Sequence, residues 1–173
     1  NGVGKSQSKL DMSRILSMNE TYVKSIDEKE LFKLFKEYVS KYKKPFDSFK
    51  DEILIKCMGF LKNKAKTLED IFNNAQYIIN DEVNIAEEDQ KLLDDQSKLI
   101  IKDFMFEFEK LALLNKETLE PLIKILIEKY KTNFKGVGQP LRIGLTGSRF
   151  GPGLYDIILS LNKTEVVKRL SEV

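Results

Sequence analysis

A chain of 173 residues, 42% hydrophobic and 32% charged, has the apolar mass for one large domain or two small ones. Its lone cysteine, Cys57, excludes an internal disulfide and a cysteine zinc cluster, and the absence of histidine removes the usual general base and the commonest metal ligand. The formal net charge of +2 conceals two basic ends around an acidic middle: residues 1–50 carry 11 Lys/Arg against 7 Asp/Glu, residues 51–110 carry 8 against 14, and residues 111–173 carry 10 against 6. That pattern suits an anionic partner touched in places, and it equally suits solvated helix faces. No apolar run approaches the ~20 residues of a membrane span. The first ten residues are polar and lack a secretory pattern, and a single thiol fits a reducing compartment.

In chain order, Gly4-Lys5-Ser6 resembles the tail of a phosphate-binding loop but lacks the preceding glycine and strand. Leu10 to Lys24 carries Ile15, Leu16, Met18, Tyr22 and Val23 at helical spacing. Asp27 to Glu30 has capping-box spacing before a helix with Leu31, Leu34, Phe35, Tyr38, Val39 and Tyr42 on one face, stopped by Pro45. Phe46 to Lys66 predicts a helix with Phe49, Leu54, Cys57, Met58 and Leu61 inward and Lys62, Lys64 and Lys66 at its end. Thr67 to Asp70 opens another, with Ile71, Phe72, Ala75, Ile78 and Ile79 inward. Asn80 to Gln90 is acidic but lacks the ligand spacing of a calcium loop, so a solvated connection is expected, away from any nucleic acid. Lys91 to Leu114 predicts a helix with Leu92, Ile100, Ile101, Phe104 and Phe108 inward. Asn115 to Thr118 recaps the chain, Pro121 falls in the next first turn, and Leu122, Ile125, Leu126 and Tyr130 face in. Thr132 to Gly138 reads as a loop. No strand alternation and no internal repeat is evident, and the expected fold class is all-α.

The most informative stretch runs from Gln139 to Leu154, QPLRIGLTGSRFGPGL. Pro140 fits the first turn of a helix, Gly147 its left-handed close, and Gly151-Pro152-Gly153 a sharp entry into the next helix. Arg142, Thr146, Ser148 and Arg149 should gather there, and guanidinium and backbone N–H groups together suit a phosphate or a base. A helix–turn–helix corner with solvated polar residues is the equally simple reading. Two short helices should follow, Leu154 to Leu161 and Val166 to Leu170, with Asn162 capping the second and Lys163 solvated beside it.

Residues 139–170 resemble the C-terminal signature of bacterial glutamyl-tRNA synthetases, which read roughly Q-P-L-R-x-A-L-T-G, then a G-P-x-L turn, then L-L-G-K-E-x-V-x-x-R-L. Asp11, Arg14, Leu16, Asn19 and Tyr22 resemble that family's stem-contact helix, and FLKNKAKTLEDI resembles its A-K-T-L run. The resemblance implies two consecutive helical bundles after a stem-contact helix: residues 1–26 as linker and stem-contact helix, 27–110 and 111–173 as two anticodon-binding subdomains. It implies tRNA(Glu) as partner and the cytoplasm as compartment. It further implies a non-catalytic C-terminal part of an enzyme that joins glutamate to tRNA with ATP and magnesium on a domain carrying HIGH and KMSKS motifs. Neither motif is in this sequence. Arg142, Thr146, Gly151, Pro152 and Leu154 would serve the first two anticodon bases, with Pro152 and Leu154 as apolar shelves and Gly151 offering backbone groups. Lys64 would stand near the third base, at a place where relatives often carry arginine; a lysine there is a point charge without arginine's planar fork. A helical protein-interaction module without RNA binding is the alternative, and a stand-alone enzyme lacks any constellation of base, nucleophile or metal ligands.

Overall fold

The structure, a computed structural model, describes residues 20–173. The features expected over residues 1–19, including those of Asp11, Arg14, Leu16 and Asn19, lie outside the described residues. All regular elements among the described residues are helical, in keeping with the all-α expectation. The chain forms two compact units that divide between Ile79 and Asn80.

In the first unit, α1 spans Glu20–Ser25, α2 Glu28–Tyr42, α3 Asp51–Leu61, α4 Leu68–Asn74 and α5 Gln76–Ile79. Asp27 starts α2: its carboxylate accepts from the N–H groups of Lys29 and Glu30. α2 packs against α3 and α4. Leu31, Phe35, Leu54, Met58, Leu61, Leu68 and Ile71 fill the space between them without solvent exposure. Phe35 also meets the rings of Phe32, Phe46 and Phe72. Two residues expected on buried faces of this unit are exposed, Tyr42 at 50% and Phe49 at 73%. Asp47 accepts from Phe49 N–H and opens a 3₁₀ turn over Ser48–Lys50, so α3 begins only at Asp51 and Phe49 stays off its buried face.

The end of α3 is held more firmly than its lysine-rich sequence suggests. Lys62 is buried, donating to the Ile26 carbonyl at 2.7 Å and pairing with Glu28 at 3.2 Å. The Asn74 amide donates to the Leu61 carbonyl. Thr67 and Asp70 then form a reciprocal capping box at the start of α4.

In the second unit, α6 spans Glu87–Gln90, α7 Asp95–Glu109, α8 Lys116–Lys129, α9 Phe134–Thr146, α10 Leu154–Ser160 and α11 Lys163–Ser171. The division at 79/80 differs from the expected one at 110/111. α7 packs against α8, α9 and α11, burying Ile100, Ile101, Phe104 and Phe108, so it belongs with the later helices. α7 is also shorter than expected. Asp94 caps it by accepting from Ser97 N–H, which turns Leu93 inward and leaves Leu92 partly exposed. The cap at Asn115 forms as read, but Pro121 is the sixth residue of α8, past its first turn. Lys163 is not a solvated lysine: its ammonium donates to the carbonyls of Glu109 at 2.6 Å and Leu111 at 2.8 Å, closing the C-terminal end of α7.

The largest correction concerns α9. It starts at Phe134, where Asn133 accepts from Gly136 N–H, and residues 134–138 are helix rather than loop. Pro140 therefore sits buried in the helix interior instead of its first turn. A proline there removes one ladder hydrogen bond and normally costs ~3 kcal/mol. α9 packs against α7, α8, α10 and α11, and burial of Val137, Leu141, Ile143 and Leu145 outweighs that local penalty.

Candidate functional site

The C-terminal end of α9 and the loop to α10 form a corner in which every early backbone group is tied down. Gly147 closes the helix with φ 81°, donating to the Ile143 carbonyl at 2.7 Å. A Cβ at Gly147 would fall 2.4 Å from the carbonyl oxygen of Asn84, so the residue needs glycine twice over: for its backbone angle and for the close approach of another strand of chain. Thr146 lies under the turn. Its hydroxyl is 2.9 Å from the Arg142 carbonyl and 3.1 Å from the Ser148 carbonyl, and it accepts from Ser148 N–H. Phe150 N–H donates to Ser148 Oγ, and Arg149 N–H to Asp89 Oδ2. The N–H groups of residues 147–150 are thus bonded within the protein. The expected cradle of free backbone N–H groups is absent at these positions, and the anion-binding capacity of the corner lies in its guanidinium groups.

Two arginines supply it. Arg142 is half-buried; one Nη1 donates to the Arg149 carbonyl at 3.3 Å, and its Nε is buried with no hydrogen-bond partner. That burial pushes the guanidinium below the usual arginine value, although an arginine remains charged. Arg149 pairs with Asp89 at 3.3 Å and Glu88 at 3.5 Å. Asp89 Oδ1 faces Arg149 Nε at ion-pair distance without the alignment of a hydrogen bond. Both arginines line one open pocket of about 250 Å³, together with Phe134, Lys135, Gly138 and Gln139.

The acidic segment is therefore not a free solvated connection. α6 brings Asp89 into a buried position beneath the corner, and Asn84 touches the Gly147 turn. A further arginine completes the scaffold. Arg169 is 5% exposed, pairs with Glu165 at 2.7 Å, and donates to the carbonyls of Leu145 at 2.9 Å and Asn80 at 3.4 Å. One side chain so joins α11, the last turn of α9 and the start of the acidic segment.

Of the sequence-predicted residues, Arg142, Thr146, Gly151, Pro152 and Leu154 come together at this corner. Arg142 faces the pocket, and Thr146 is committed to shaping the turn. Gly151 has φ 126°, and nothing lies within 4 Å of where its Cβ would be, so backbone there is open to close approach. Pro152 is buried and Leu154 is 2% exposed, packed toward Gly138. Neither presents a surface shelf; both brace the corner from within. Lys64 belongs to the first unit, exposed on the turn after α3 whose neighbours Lys62 and Ala65 are buried. The sequence reading missed Asp89, Lys62 and Arg169 as organising groups. The pattern V-x-x-R-L held the signal for Arg169, since an arginine next to a core leucine on an amphipathic helix sits at the edge of the buried face.

Clustered guanidinium groups beside an open, partly aromatic pocket have the chemistry to suit an anionic, planar ligand. The family described as "Anticodon binding domain" matches residues 28–173, and the chain belongs to that family. Glutamate–tRNA ligase of Pelagibacter ubique is 59% identical over 169 residues, covering 98% of this chain and 36% of that protein. Glutamate–tRNA ligase 2 of Zymomonas mobilis is 27% identical over 172 residues, with 98% and 36% covered. The chain thus spans little more than a third of the length of these relatives. A solved glutamate tRNA ligase from Elizabethkingia meningosepticum shares the fold, with a TM-score of 0.70 at 20% identity over 89% of this chain and 30% of that one.

Proposed function

We propose that this chain reads the anticodon of tRNA(Glu) as the C-terminal, non-catalytic part of a glutamate–tRNA ligase acting in the cytoplasm as a monomer. The observation that carries the reading is the pair of arginines on one open pocket at a corner whose backbone is already satisfied. Anticodon bases are unstacked and read along their Watson–Crick edges. Arg142 lines the pocket and makes one hydrogen bond within the protein, so its guanidinium keeps donors for a base carbonyl or ring nitrogen. Gly151 lets the RNA backbone or a base approach the main chain. Thr146, Pro152 and Leu154 act from beneath by fixing where Arg142 and Gly151 stand. Lys64, on its pinned turn in the other unit, serves the third base through a neighbouring phosphate, where a point charge suffices.

ATP and magnesium belong, in this reading, to the remainder of the ligase, where the family carries its catalytic motifs. No helix among the described residues is long and apolar enough to cross a membrane.

The test is binding of the chain to an RNA hairpin bearing the glutamate anticodon, measured across a salt series beside a hairpin with a scrambled loop. Tighter binding to the glutamate loop is expected, with log affinity falling by about 0.7–0.9 per log unit of salt for each phosphate neutralised. Equal binding to both loops with a flat salt response would instead favour the protein-interaction module. ATP–pyrophosphate exchange with glutamate by the pure chain would overturn the non-catalytic assignment.

A further inference from the structure

Phe150 stands out at the tip of the corner. It is 71% exposed, yet the chain that carries it is fixed residue by residue. Ser148 N–H, Arg149 N–H and Phe150 N–H each donate to a side chain of the same unit, and the Arg149 carbonyl accepts from Arg142. Thus an aromatic ring is held out in water on a preorganised loop. Phe134 is also exposed and lines the pocket of the two arginines, but its ring already packs beside Tyr155 at 5.8 Å. The Arg149 guanidinium lies 5.1 Å from the centre of the Phe150 ring, while its other contacts run to Glu88 and Asp89. Asp89 thereby fixes Arg149 by side chain and by backbone, and Arg149 in turn restrains the ring.

We propose that Phe150, with Arg149 beside it, is a stacking shelf for one unpaired base of the anticodon loop. The inference rests on the anticodon reading and deepens it by adding a contact that needs no hydrogen-bond readout. Every base has a π-face, so a rigid exposed ring next to cationic groups suits single-stranded RNA whatever its sequence. Arg142 would then discriminate between bases, whereas Phe150 would raise affinity for any unstacked loop. Gly151, open on its side-chain side and next in sequence, leaves room for the nucleotide beside the ring.

The sequence contains no tryptophan, which gives a clean probe. Phe150→Trp places a single indole at the tip, and its emission is read while the hairpin bearing the glutamate anticodon is added. The expected result is retained binding with quenching that saturates at the same RNA concentration as binding. Phe150→Ala should weaken binding about ten-fold or more, as base–aromatic stacking energies imply. It should do so equally for glutamate and scrambled loops and without changing the salt slope. Unchanged indole emission at saturating RNA, or wild-type affinity in Phe150→Ala, would overturn the shelf. If those results appear while Arg142→Ala still loses preference for the glutamate loop, the shelf fails and the anticodon reading stands. If the wild-type chain shows no preference between loops, the anticodon reading fails first. Circular dichroism of Phe150→Ala should match wild type, because the ring is exposed and its removal opens no cavity.

Discussion

Replacing Arg142 by alanine separates recognition from stability, because the structure states how little the folded protein depends on that side chain. Within the protein it makes one hydrogen bond, a 3.3 Å contact to the Arg149 carbonyl. A bond of that kind contributes about 0.5–1.5 kcal/mol. Against it stands the burial of Nε without a partner, a desolvation penalty that the substitution removes. The net loss should stay near 1 kcal/mol, a fall in melting temperature of about 4–8 °C for a unit of this size. Binding should suffer more. Loss of a base-reading guanidinium costs about 1–3 kcal/mol, or about 5- to 150-fold in Kd, and relaxes preference at the base it contacts. The assay pairs thermal melting with titration of hairpins that differ at single anticodon positions. Cooperative unfolding of the second unit below room temperature would make Arg142 a structural arginine and sink the functional assignment. An equal loss on every loop sequence would make it a phosphate contact instead.

Arg169→Met should destabilise far more than Arg142→Ala, by about 3–5 kcal/mol in urea unfolding, because it strips Glu165 and two carbonyls of a buried partner. A loss below about 1 kcal/mol would show that water replaces the guanidinium. Gly147→Ala should cost about 2 kcal/mol or more, since alanine must take a left-handed angle and its Cβ meets the Asn84 carbonyl. Wild-type stability would mean that the acidic segment does not lie on the turn. The contact of Asp103 with Lys129 and Tyr130 predicts two pH limbs. Its partners hold the Asp103 carboxyl below the usual value of 3.8, so its contribution is complete above that pH and is lost as pH falls through the lower folded value. Burial and Asp103 raise Tyr130 from 10.0 to about 12, so its contribution holds below pH 10 and is lost as pH rises toward 12. Tyr130→Phe should flatten that alkaline limb in urea unfolding, and an unchanged limb would refute the linkage.

Local chemistry was enough to place the helix starts at Asp27, Thr67, Asn115 and Asn162 and the left-handed close at Gly147, because caps and turns depend on residues within four positions of each other. The same holds for the meeting of Arg142, Thr146 and Ser148, which one helical turn and one tight turn bring together. The first turn of α9 was misplaced for the opposite reason. A proline argues locally for a helix start, but burial of α9 on four neighbours decides where that helix runs. The pairing of Arg149 with Glu88 and Asp89 spans about sixty residues of chain, and that of Arg169 with Asn80 spans more. Nothing within the signature marks these partners. Composition made residues 80–90 look like a solvated acidic connection. Only packing shows that one of those carboxylates is buried and holds the arginine loop in place. The sequence by itself determined the helical class, the caps and the corner's residues. Which cations remain available to a partner is decided by the folded chain, because an arginine's availability depends on whether a carboxylate or carbonyl from a distant segment has already taken its donors.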